Sequence, residues 1–225
     1  MAVMAYISSI SLRGVTGQET TKCRAMSYGY PRSGSGLLAA VVSRLRIKDK
    51  AMGRMRNGSN PSGNTDWETP DELLAALKRE FLWTPHLPAD SDYFDLDPCA
   101  TRESCKALGY FSLEDGRDGL LLPWYGAVFV NPPYGRGVGK WVEKCYTEVA
   151  KGNAALVVAL LPVSTDTRWW HWWVSQATEV RFLKGRIRFV GAPDPAPFAS
   201  AIVVWRRGML GWGRVTAWDW RNSGS

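Results

Sequence analysis

Short apolar runs alternate with amphipathic segments along much of the chain, and turn residues separate them. Three runs rich in β-branched, aromatic or small apolar residues predict buried strands: Ala127–Val130, Ala154–Leu161 and Ala201–Trp205. Apolar residues recur at helical spacing after Pro70 and again after Gly139. Strands that alternate with helices in this way predict an α/β fold with a mostly parallel sheet.

The first predicted helix has a strong start signal. Thr69 as N-cap, Pro70 at the first helical position and Glu72 at the third form a capping box. The apolar face that follows carries Leu73, Leu77 and Phe81. Helix capping alone is therefore a sufficient explanation of Thr69.

Weaker patterns predict further elements. Tyr93–Leu96 reads as a strand that ends in an acidic turn and continues into a helix over Thr101–Leu108. Three more strands are predicted, at Glu179–Leu183, Ile187–Val190 and Val215–Trp218. Asp97 and Asn131 are only 34 positions apart. That is too few for two full strand–helix units, so one such pair is expected to be shortened or missing.

Charge divides the chain into basic and acidic parts. The 225 residues carry a net charge of +7, and 45% of them are hydrophobic, which suits one α/β domain with a substantial core. Residues 1–60 hold ten Lys and Arg against two Asp and Glu, residues 61–120 five against thirteen, and residues 168–225 nine against three. The basic parts favour a polyanionic partner, and the acidic part favours a cationic ligand.

Several classes of protein are disfavoured by the sequence. No apolar run approaches the roughly 20 residues that cross a bilayer, and the amino terminus lacks a basic signal-peptide start, so we expect a soluble intracellular protein. The cysteines show no Cys-x-x-Cys pairing and the two histidines lie far apart, so neither a metal site nor a disulfide framework is expected. These residues are Cys23, Cys99, Cys105, Cys145, His86 and His171.

The candidate chemistry lies where the strand Ala127–Val130 ends in Asn131-Pro132-Pro133-Tyr134. Two consecutive prolines fix φ and remove two backbone donors, which leaves a rigid site of acceptors beside an aromatic ring. An amino group on an aromatic ring is a poor nucleophile until acceptors draw on its hydrogens. The Asn131 side-chain oxygen and the Pro132 carbonyl are suited to that task, and Tyr134 is suited to stack on the ring. A proline-stiffened turn after a core strand is the structural alternative.

Asn-Pro-Pro-Tyr resembles the catalytic motif of amino-methyltransferases, including those that act on adenine N6 in DNA. Three other segments are similar, in the same order, to motifs of the phage-type DNA N6-adenine methyltransferase (Dam-like) family: Trp67-x-Thr69-Pro70, Asp95-Leu96-Asp97-Pro98-Cys99-Ala100 and Gly185-Arg186-Ile187-x-Phe189. The resemblance covers approximately residues 66–206. It implies a compact Rossmann-like (class I) methyltransferase fold with helices on both faces of a mostly parallel sheet.

The resemblance also implies S-adenosyl-L-methionine as methyl donor and no metal. The catalytic residues that it implies are Asn131, Pro132, Pro133 and Tyr134. The cofactor-binding residues that it implies are Trp67, Thr69, Asp97, Pro98, Cys99, Ala100, Asp118 and Asn131. Either Tyr110 or Phe111 is available to stack on the cofactor's base. The Gly-x-Gly motif common to methyltransferases is absent after the first strand.

Double-stranded DNA is the partner that the resemblance implies. The candidate DNA-binding residues are Arg136, Lys140, Arg186, Arg188 and Ser200, and Arg206 and Arg207 are further candidates for phosphate contacts. Residues 169–173 include four tryptophans, which either pack under the sheet or contact nucleic acid. No membrane and no obligate protein partner is expected, and the implied location is the cytoplasm of a bacterial host, with a phage or prophage gene.

The sequence suggests three parts. Residues 1–65 are expected to be a flexible basic extension, with translation from Met52 or Met55 as an alternative. Residues 66–207 form the methyltransferase domain, and residues 208–225 form a tail with one possible added strand. Two other functions stay open: methylation of glutamine in protein or of amino groups in RNA, and DNA binding by a catalytically idle protein.

Overall fold

Helices and strands alternate through the described part of the chain, which in this computed structural model comprises residues 67–82, 92–211 and 213–222. The helices are α1 (Asp71–Phe81), α2 (Val138–Ala150), α3 (Arg168–Trp172) and a 3-10 turn at Val174–Gln176. The strands are β1 (Leu96–Asp97), β2 (Gly109–Tyr110), β3 (Gly126–Val130), β4 (Ala154–Pro162), β5 (Glu179–Leu183), β6 (Ser200–Arg206) and β7 (Arg214–Trp218). The predicted extension, residues 1–65, lies outside the described residues.

One seven-stranded sheet has the order β2-β1-β3-β4-β6-β5-β7. Only β6 runs against its neighbours β4 and β5, and all other neighbouring strands are parallel. The prediction of an α/β fold with a mostly parallel sheet is therefore confirmed. Because β1 and β3 are parallel neighbours, Asp97 and Asn131 meet at the same edge of the sheet, at the carboxyl ends of the strands.

Helices cover both faces of the sheet. On one face α1 buries Leu77 against Phe129 and Val158, and on the other α2 buries Val142 against Val157. All of these side chains are fully buried. The alternation of β3 and β4 residues between two cores explains why both strands read as continuous apolar runs. Helices on both faces were expected, and the structure confirms them.

The region between β1 and β3 is the shortened unit that the spacing predicted. β1 and β2 have two residues each, and the described residues between β1 and β3 contain no helix. The helix predicted over Thr101–Leu108 is therefore wrong. Thr101 and Ser104 bond each other's backbone N–H groups through their hydroxyls, over 2.9 and 3.2 Å, and this closes a local turn that competes with a helix.

The strand predicted at Ile187–Val190 is also wrong, although its burial pattern is right. Ile187 and Phe189 are buried in the α1 core. Their carbonyl oxygens accept hydrogen bonds from the N–H groups of Ala196 and Ala192, over 2.7 and 3.1 Å, and not from a neighbouring strand. Alternation of apolar residues here reflects burial of an extended loop.

The remaining predictions for the carboxyl-terminal part mostly hold. Strands form at Glu179–Leu183 and, as β7, around Val215–Trp218. Cys99 and Cys145 are free thiols, as expected. Cys105, by contrast, is disulfide-bonded, which the spacing of the cysteines did not predict.

Candidate active site

A cavity of about 560 Å³ opens at the carboxyl ends of β1 and β3. Its volume lies within the range of roughly 300–1,000 Å³ that is typical of small-molecule sites. All eight residues implied as cofactor-binding line it, together with Pro132 and Pro133. Three of the four predicted motifs, which lie far apart in the chain, therefore converge on one site, and the motif at residues 185–189 contributes no residue to the lining.

Asn131 follows β3, and its side-chain amide is held in one orientation. Nδ2 donates hydrogen bonds to the backbone oxygen of Trp67 and, over 3.1 Å, to Thr69 Oγ1. Because a backbone carbonyl can only accept, the amide nitrogen must face Trp67 and the amide oxygen must face the other way. Asn131 Oδ1 is buried and has no partner among the described residues. The cavity wall thus contains an oriented acceptor that lacks a donor.

Thr69 accepts a hydrogen bond from Asn131 and does not cap α1. The N-cap position is held by Pro70, and no side chain caps the helix. The predicted capping box is therefore wrong. Thr69 is 1% exposed, and its hydroxyl accepts the hydrogen bond from Asn131. The local sequence suits a cap, but the long-range contact takes the hydroxyl instead.

The segment that carries Trp67 and Thr69 is fixed from several sides. Val190 N donates to the Glu68 oxygen over 3.0 Å, in an isolated antiparallel bridge. Lys106 Nζ lies 2.9 Å from both Glu68 and Asp71 carboxylates, and its side chain is largely buried. These bonds hold the segment against the turn that follows β1, so the acceptors for the Asn131 amide are preorganised.

Asp97 closes the turn after β1. Its Oδ2 accepts from the Lys106 N–H over 3.2 Å and its Oδ1 accepts from the Cys99 N–H over 3.4 Å. Burial raises the pKa of this carboxyl to about 7, and the two donors offset only part of the rise. Asp97 therefore changes charge near neutral pH beside the cavity.

Cys99 shares this turn and lines the cavity as a half-buried thiol. Burial, and then the nearby Asp97 carboxylate, raise the pKa of the thiol well above its usual range. The group stays protonated and is a poor nucleophile, so we assign no covalent chemistry to it.

The loop at Asp118 and Gly119 lies against this turn and continues the cavity wall. Asp118 Oδ1 accepts from the Leu120 N–H over 2.8 Å, which holds the loop in a tight turn. A Cβ at Gly119 would lie 1.9 Å from the backbone oxygen of Pro98, so only glycine permits this approach. The Gly119 carbonyl accepts from Trp124 Nε1 over 2.8 Å.

Trp124 connects that wall to α2. Its backbone N–H donates to Glu148 Oε2 over 2.9 Å, and Lys144 Nζ lies 2.7 Å from Glu148 Oε1. The ring of Trp124 stacks against Trp141, another residue of the cavity lining, with centroids 6.5 Å apart. A buried hydrogen-bond chain thus runs from α2 through Trp124 to Gly119.

Phe111, and not Tyr110, is the aromatic residue after β2 that lines the cavity. Tyr110 is 1% exposed and is absent from the lining. The guanidinium of Arg117, which also lines the cavity, lies 5.0 Å from the Tyr110 ring centroid and 6.0 Å from that of Phe111. Of the two aromatic residues that the sequence left open, Phe111 is the one placed to meet a ligand.

Tyr134 lies beside the cavity in an aromatic cluster. Its ring meets Phe198 and Phe189 edge-on, with centroids 5.3 and 6.1 Å apart, and Trp67 packs on Phe189 at 5.0 Å. Its hydroxyl donates to the Leu160 oxygen over 3.3 Å. Burial raises the pKa of this phenol, which therefore stays protonated. Tyr134 is not part of the lining of the cavity.

The predicted DNA-contact residues fall into two groups. Arg136, Lys140, Arg186 and Arg188 are exposed. Ser200 is 2% exposed, is absent from the cavity lining, and its hydroxyl has no partner among the described residues. A contact between Ser200 and DNA would require its surroundings to open.

Arg206 and Arg207 lie apart from Arg186 and Arg188 in the structure. β6 is antiparallel, so Ser200 pairs with Pro162 at the end of β4 whereas Arg206 pairs with Leu156 near its start. The two arginines thus lie at the edge of the sheet opposite to the cavity. The expectation that they share a phosphate-binding face with Arg186 and Arg188 is wrong.

The four tryptophans at 169–173 divide between packing and exposure. Trp169, Trp170 and Trp173 are half-buried and pack on the core that α2 covers. Trp172 is 58% exposed. Packing, one of the two interpretations left open by the sequence, therefore holds for three of them.

Sequence reasoning missed several residues of the lining. Lys106, Ser112, Arg117, Trp141 and Val190 belong to no short motif. Gly119 lies between Asp118, which was predicted, and Leu120. A glycine at this position was the available signal that the backbone passes close to another segment. The others become neighbours of the site only through the sheet.

The described residues contain neither a candidate membrane span nor a candidate metal site. None of their helices combines the length and hydrophobicity of a membrane span. The described side chains also include no cluster of three or more His, Cys, Asp or Glu residues placed to hold a metal ion.

Comparison with known proteins agrees with the geometry. The family model described as DNA N-6-adenine-methyltransferase (Dam) matches residues 59–204, well over half of the chain. No curated protein matches the sequence significantly. The matched range includes all four sequence motifs and every residue described above around Asn131. The chain belongs to the DNA N-6-adenine-methyltransferase (Dam) family.

Proposed function

We propose that this protein is a site-specific DNA methyltransferase that transfers a methyl group from S-adenosyl-L-methionine to N6 of adenine. The family supports DNA adenine-N6 methylation in general. The observation that carries the finer proposal is the buried, unpaired Asn131 Oδ1 beside Pro132 in the wall of a cavity. An exocyclic amino group is a donor of the kind that this acceptor lacks.

The sheet order supports a Rossmann-like (class I) methyltransferase fold for residues 66–207. The cavity lies outside the carboxyl ends of β1 and β3, where ligands bind in open α/β sheets. The one antiparallel strand, β6, is inserted between β4 and β5. The two-residue strands β1 and β2 make this a compact version of that fold.

The cavity suits the proposed cofactor. S-adenosyl-L-methionine, when bound, supplies a methyl group on a cationic sulfonium. Asp97 and Asp118 place carboxylates around the cavity, and the main-chain contact of Gly119 with Pro98 shapes its wall. Phe111 offers a ring for an adenine base, and Trp67, Thr69, Cys99 and Ala100 complete the predicted contacts. A cationic, partly aromatic ligand matches this donor and acceptor set.

Asn131 and Pro132 act on the amino group of the target. We assign to Asn131 Oδ1 and the Pro132 carbonyl the task of accepting the two N6 hydrogens. These bonds localise the lone pair of the nitrogen, which is otherwise delocalised into the ring. In the transfer the methyl–sulfur bond of the sulfonium would break and leave its electron pair on a neutral thioether, the new N–C bond would form, and N6 would lose one proton to solvent. Pro133 keeps the two acceptors rigid, so little reorganisation is needed during the reaction.

Tyr134 provides the proposed platform for the target base. An adenine reaches Asn131 only after it flips out of the duplex, at a cost of roughly a few kcal/mol. Stacking on an aromatic ring returns about 1–3 kcal/mol. In the structure the ring packs edge-on against Phe189 and Phe198, so base entry requires these rings to separate.

Exposed cations on both sides of this cluster support a DNA surface. Arg136 and Lys140 lie at the start of α2, and Arg186 and Arg188 follow β5. Phosphate contacts by such residues position a duplex without reading its sequence. We also propose the cytoplasm of a bacterial host as the location and a phage or prophage gene as the source.

The test is transfer of labelled methyl to unmethylated duplex DNA, followed by digestion to nucleosides. The proposal predicts label in N6-methyladenine and its loss when Asn131 is replaced by alanine. Label in protein glutamine or in RNA, with none in DNA, would replace the proposed acceptor. DNA binding without cofactor binding would favour the idle DNA-binding protein.

A further inference from the structure

The surface around α3 carries an exposed tryptophan that the proposed reaction does not use. Trp172 is 58% exposed and is the most exposed aromatic side chain of the described residues. A single apolar side chain on a surface needs no explanation by itself. Trp172 differs from the usual case in its anchoring, its charged neighbour and its location.

The anchoring comes from the other tryptophans of this segment. Trp169 packs on the first turn of α2, where a Cβ at Gly139 would lie 3.2 Å from its ring. Trp173 packs on Tyr146 with centroids 5.2 Å apart, and its carbonyl accepts from Trp205 Nε1 over 3.1 Å. α3 is thus fixed on α2 and the sheet, and Trp172 points outward from a rigid support.

The charged neighbour is Arg168, one helical turn earlier. Its guanidinium lies 5.5 Å from the centroid of the Trp172 ring. Arg168, Arg136 and Lys140 are exposed and form no salt bridge with any carboxylate of the described residues. Asp166 and Glu143 are exposed on the same two segments, so the positive balance is small. Stacking, more than bulk charge, has to carry any interaction here.

The location is the edge of the sheet that holds the cavity. α3 follows the carboxyl end of β4, and β4 is the neighbour of β3, which ends at Asn131. Arg136 is three residues beyond Pro133, which lines the cavity, so its backbone lies within about 11 Å of that wall. Trp169 of α3 packs on Gly139, the neighbour of Lys140, and Trp141 lines the cavity, so the segment of Arg168 and Trp172 lies beside the start of α2 near the cavity.

We propose that Trp172 and Arg168 form a nucleic-acid contact, in which Trp172 stacks on an unstacked base near the target adenine and Arg168 binds a flanking phosphate. The presence of DNA rests on the proposed function. Removal of one adenine from the duplex disrupts stacking at that position and leaves its partner base unpaired. Every base has a face that can stack, so this contact adds affinity without reading sequence. Arg168 covers the ring in the free protein and leaves it for a phosphate when a base arrives.

The test compares DNA affinity in Trp172→Ala, Trp172→Phe and Arg168→Gln. Val215→Ala removes another exposed apolar side chain, and Arg214→Gln removes an exposed arginine, both on β7 at the far end of the sheet. Fluorescence anisotropy with a labelled unmethylated duplex, at several salt concentrations, gives each affinity and its salt dependence. Calorimetry with S-adenosyl-L-methionine and thermal unfolding report on the cavity and the fold.

We expect Trp172→Ala to weaken DNA binding by about 5- to 150-fold with the same salt dependence. Trp172→Phe keeps a stacking ring and should retain most of the wild-type affinity. Arg168→Gln should reduce the slope of log K against log salt by about 0.9. The two β7 controls, and cofactor affinity in every variant, should match the wild type.

Three results would overturn the proposal, and they have different meanings. Equal DNA affinity of the wild type and Trp172→Ala would contradict the proposed contact of Trp172 with a base and leave the proposed function intact. A loss of cofactor affinity or thermal stability in Trp172→Ala equal to its loss of DNA affinity would make the residue structural. A wild-type protein that binds no DNA would contradict both this contact and the proposed DNA substrate.

Discussion

The candidate site has two sides, the cavity wall and the aromatic cluster beside the cavity, and they are built in different ways. The proposed cofactor wall, residues 97–106 and 118–124, is held by hydrogen bonds to the backbone and by the close contact of Gly119 with Pro98. The aromatic side, formed by Tyr134, Phe189 and Phe198, is held by ring packing, and exposed cations lie on the same segments.

This difference suits two kinds of ligand. Directional hydrogen bonds fix the shape of a site for a small molecule, and each lost bond leaves a buried group unpaired. Ring contacts have weaker angular demands, so an aromatic cluster can separate and accept a flat base. Asn131 lies where the two sides meet, because it lines the cavity and Tyr134 follows it by three positions. Its Nδ2 is hydrogen-bonded to Thr69, and its Oδ1 is unpaired.

The largest effect is expected at that junction. Asn131→Ala removes the proposed acceptor for N6, and by analogy with the loss of one catalytic hydrogen-bonding group it should lower the turnover rate by about 10²–10³-fold. Cofactor affinity should change much less, since other residues supply most of the wall. Single-turnover kinetics and calorimetry separate the two quantities, with the exposed Asn222→Ala as control. Full turnover in Asn131→Ala would contradict the mechanism.

Gly119→Ala should break the cofactor wall. The added Cβ would meet the Pro98 oxygen at 1.9 Å, so the two turns must separate. Overpacking of this kind costs about 1–3 kcal/mol, and we expect both a lower free energy of unfolding and weaker cofactor binding. At Gly137 a Cβ meets nothing within 4 Å, so Gly137→Ala is the matched control. Equal urea midpoints for the two variants would show that the contact is not rigid.

Trp124→Phe tests the hydrogen bond behind that wall. The change removes the Nε1 donor and leaves the Gly119 carbonyl unpaired, at a cost of about 1–3 kcal/mol. Trp205→Phe removes an equivalent donor, to Trp173, on the side of the fold away from the cofactor wall. Both variants should lose stability, but only Trp124→Phe should raise KM for the cofactor. The same KM for the cofactor in both variants would show that Trp124 contributes only to the core and not to the cofactor wall.

A smaller effect is expected from pH. The pKa of Asp97 is raised to about 7, so the folded protein binds a proton more tightly than the unfolded chain, whose carboxyl has a pKa near 3.8. Its contribution to stability therefore declines as pH rises between these two values. Affinity for a cationic cofactor should do the opposite and weaken, by at most about tenfold per unit, as pH falls below 7. Asp97→Asn should flatten this dependence in calorimetric titrations.

The fold and the motifs were predictable because their signals are local. Strands such as Ala154–Leu161 are long apolar runs, and Asn131-Pro132-Pro133-Tyr134 is rigid through its own prolines. The Tyr110 and Phe111 pair could not be resolved, since which ring faces the cavity depends on the register of the two-residue strand β2.

The predictions that were wrong concern features that depend on contacts between residues distant in sequence or on competing side-chain hydrogen bonds. Thr69 fits a helix cap, but Asn131, 62 positions away, takes its hydroxyl. Thr101 and Ser104 bond each other's backbone and prevent the predicted helix. Arg206 and Arg207 were grouped with the other arginines because nothing in their own segment shows that β6 runs antiparallel.

The separation of the two sides is tested most directly by measuring cofactor and DNA affinity together in Gly119→Ala and Tyr134→Leu. The account predicts that Gly119→Ala loses cofactor affinity and keeps DNA affinity. Tyr134→Leu keeps an apolar side chain but removes the stacking ring, and it should lose DNA affinity while binding cofactor normally. If each variant lost both affinities to the same extent, the two sides would form one undivided site and the account would be contradicted.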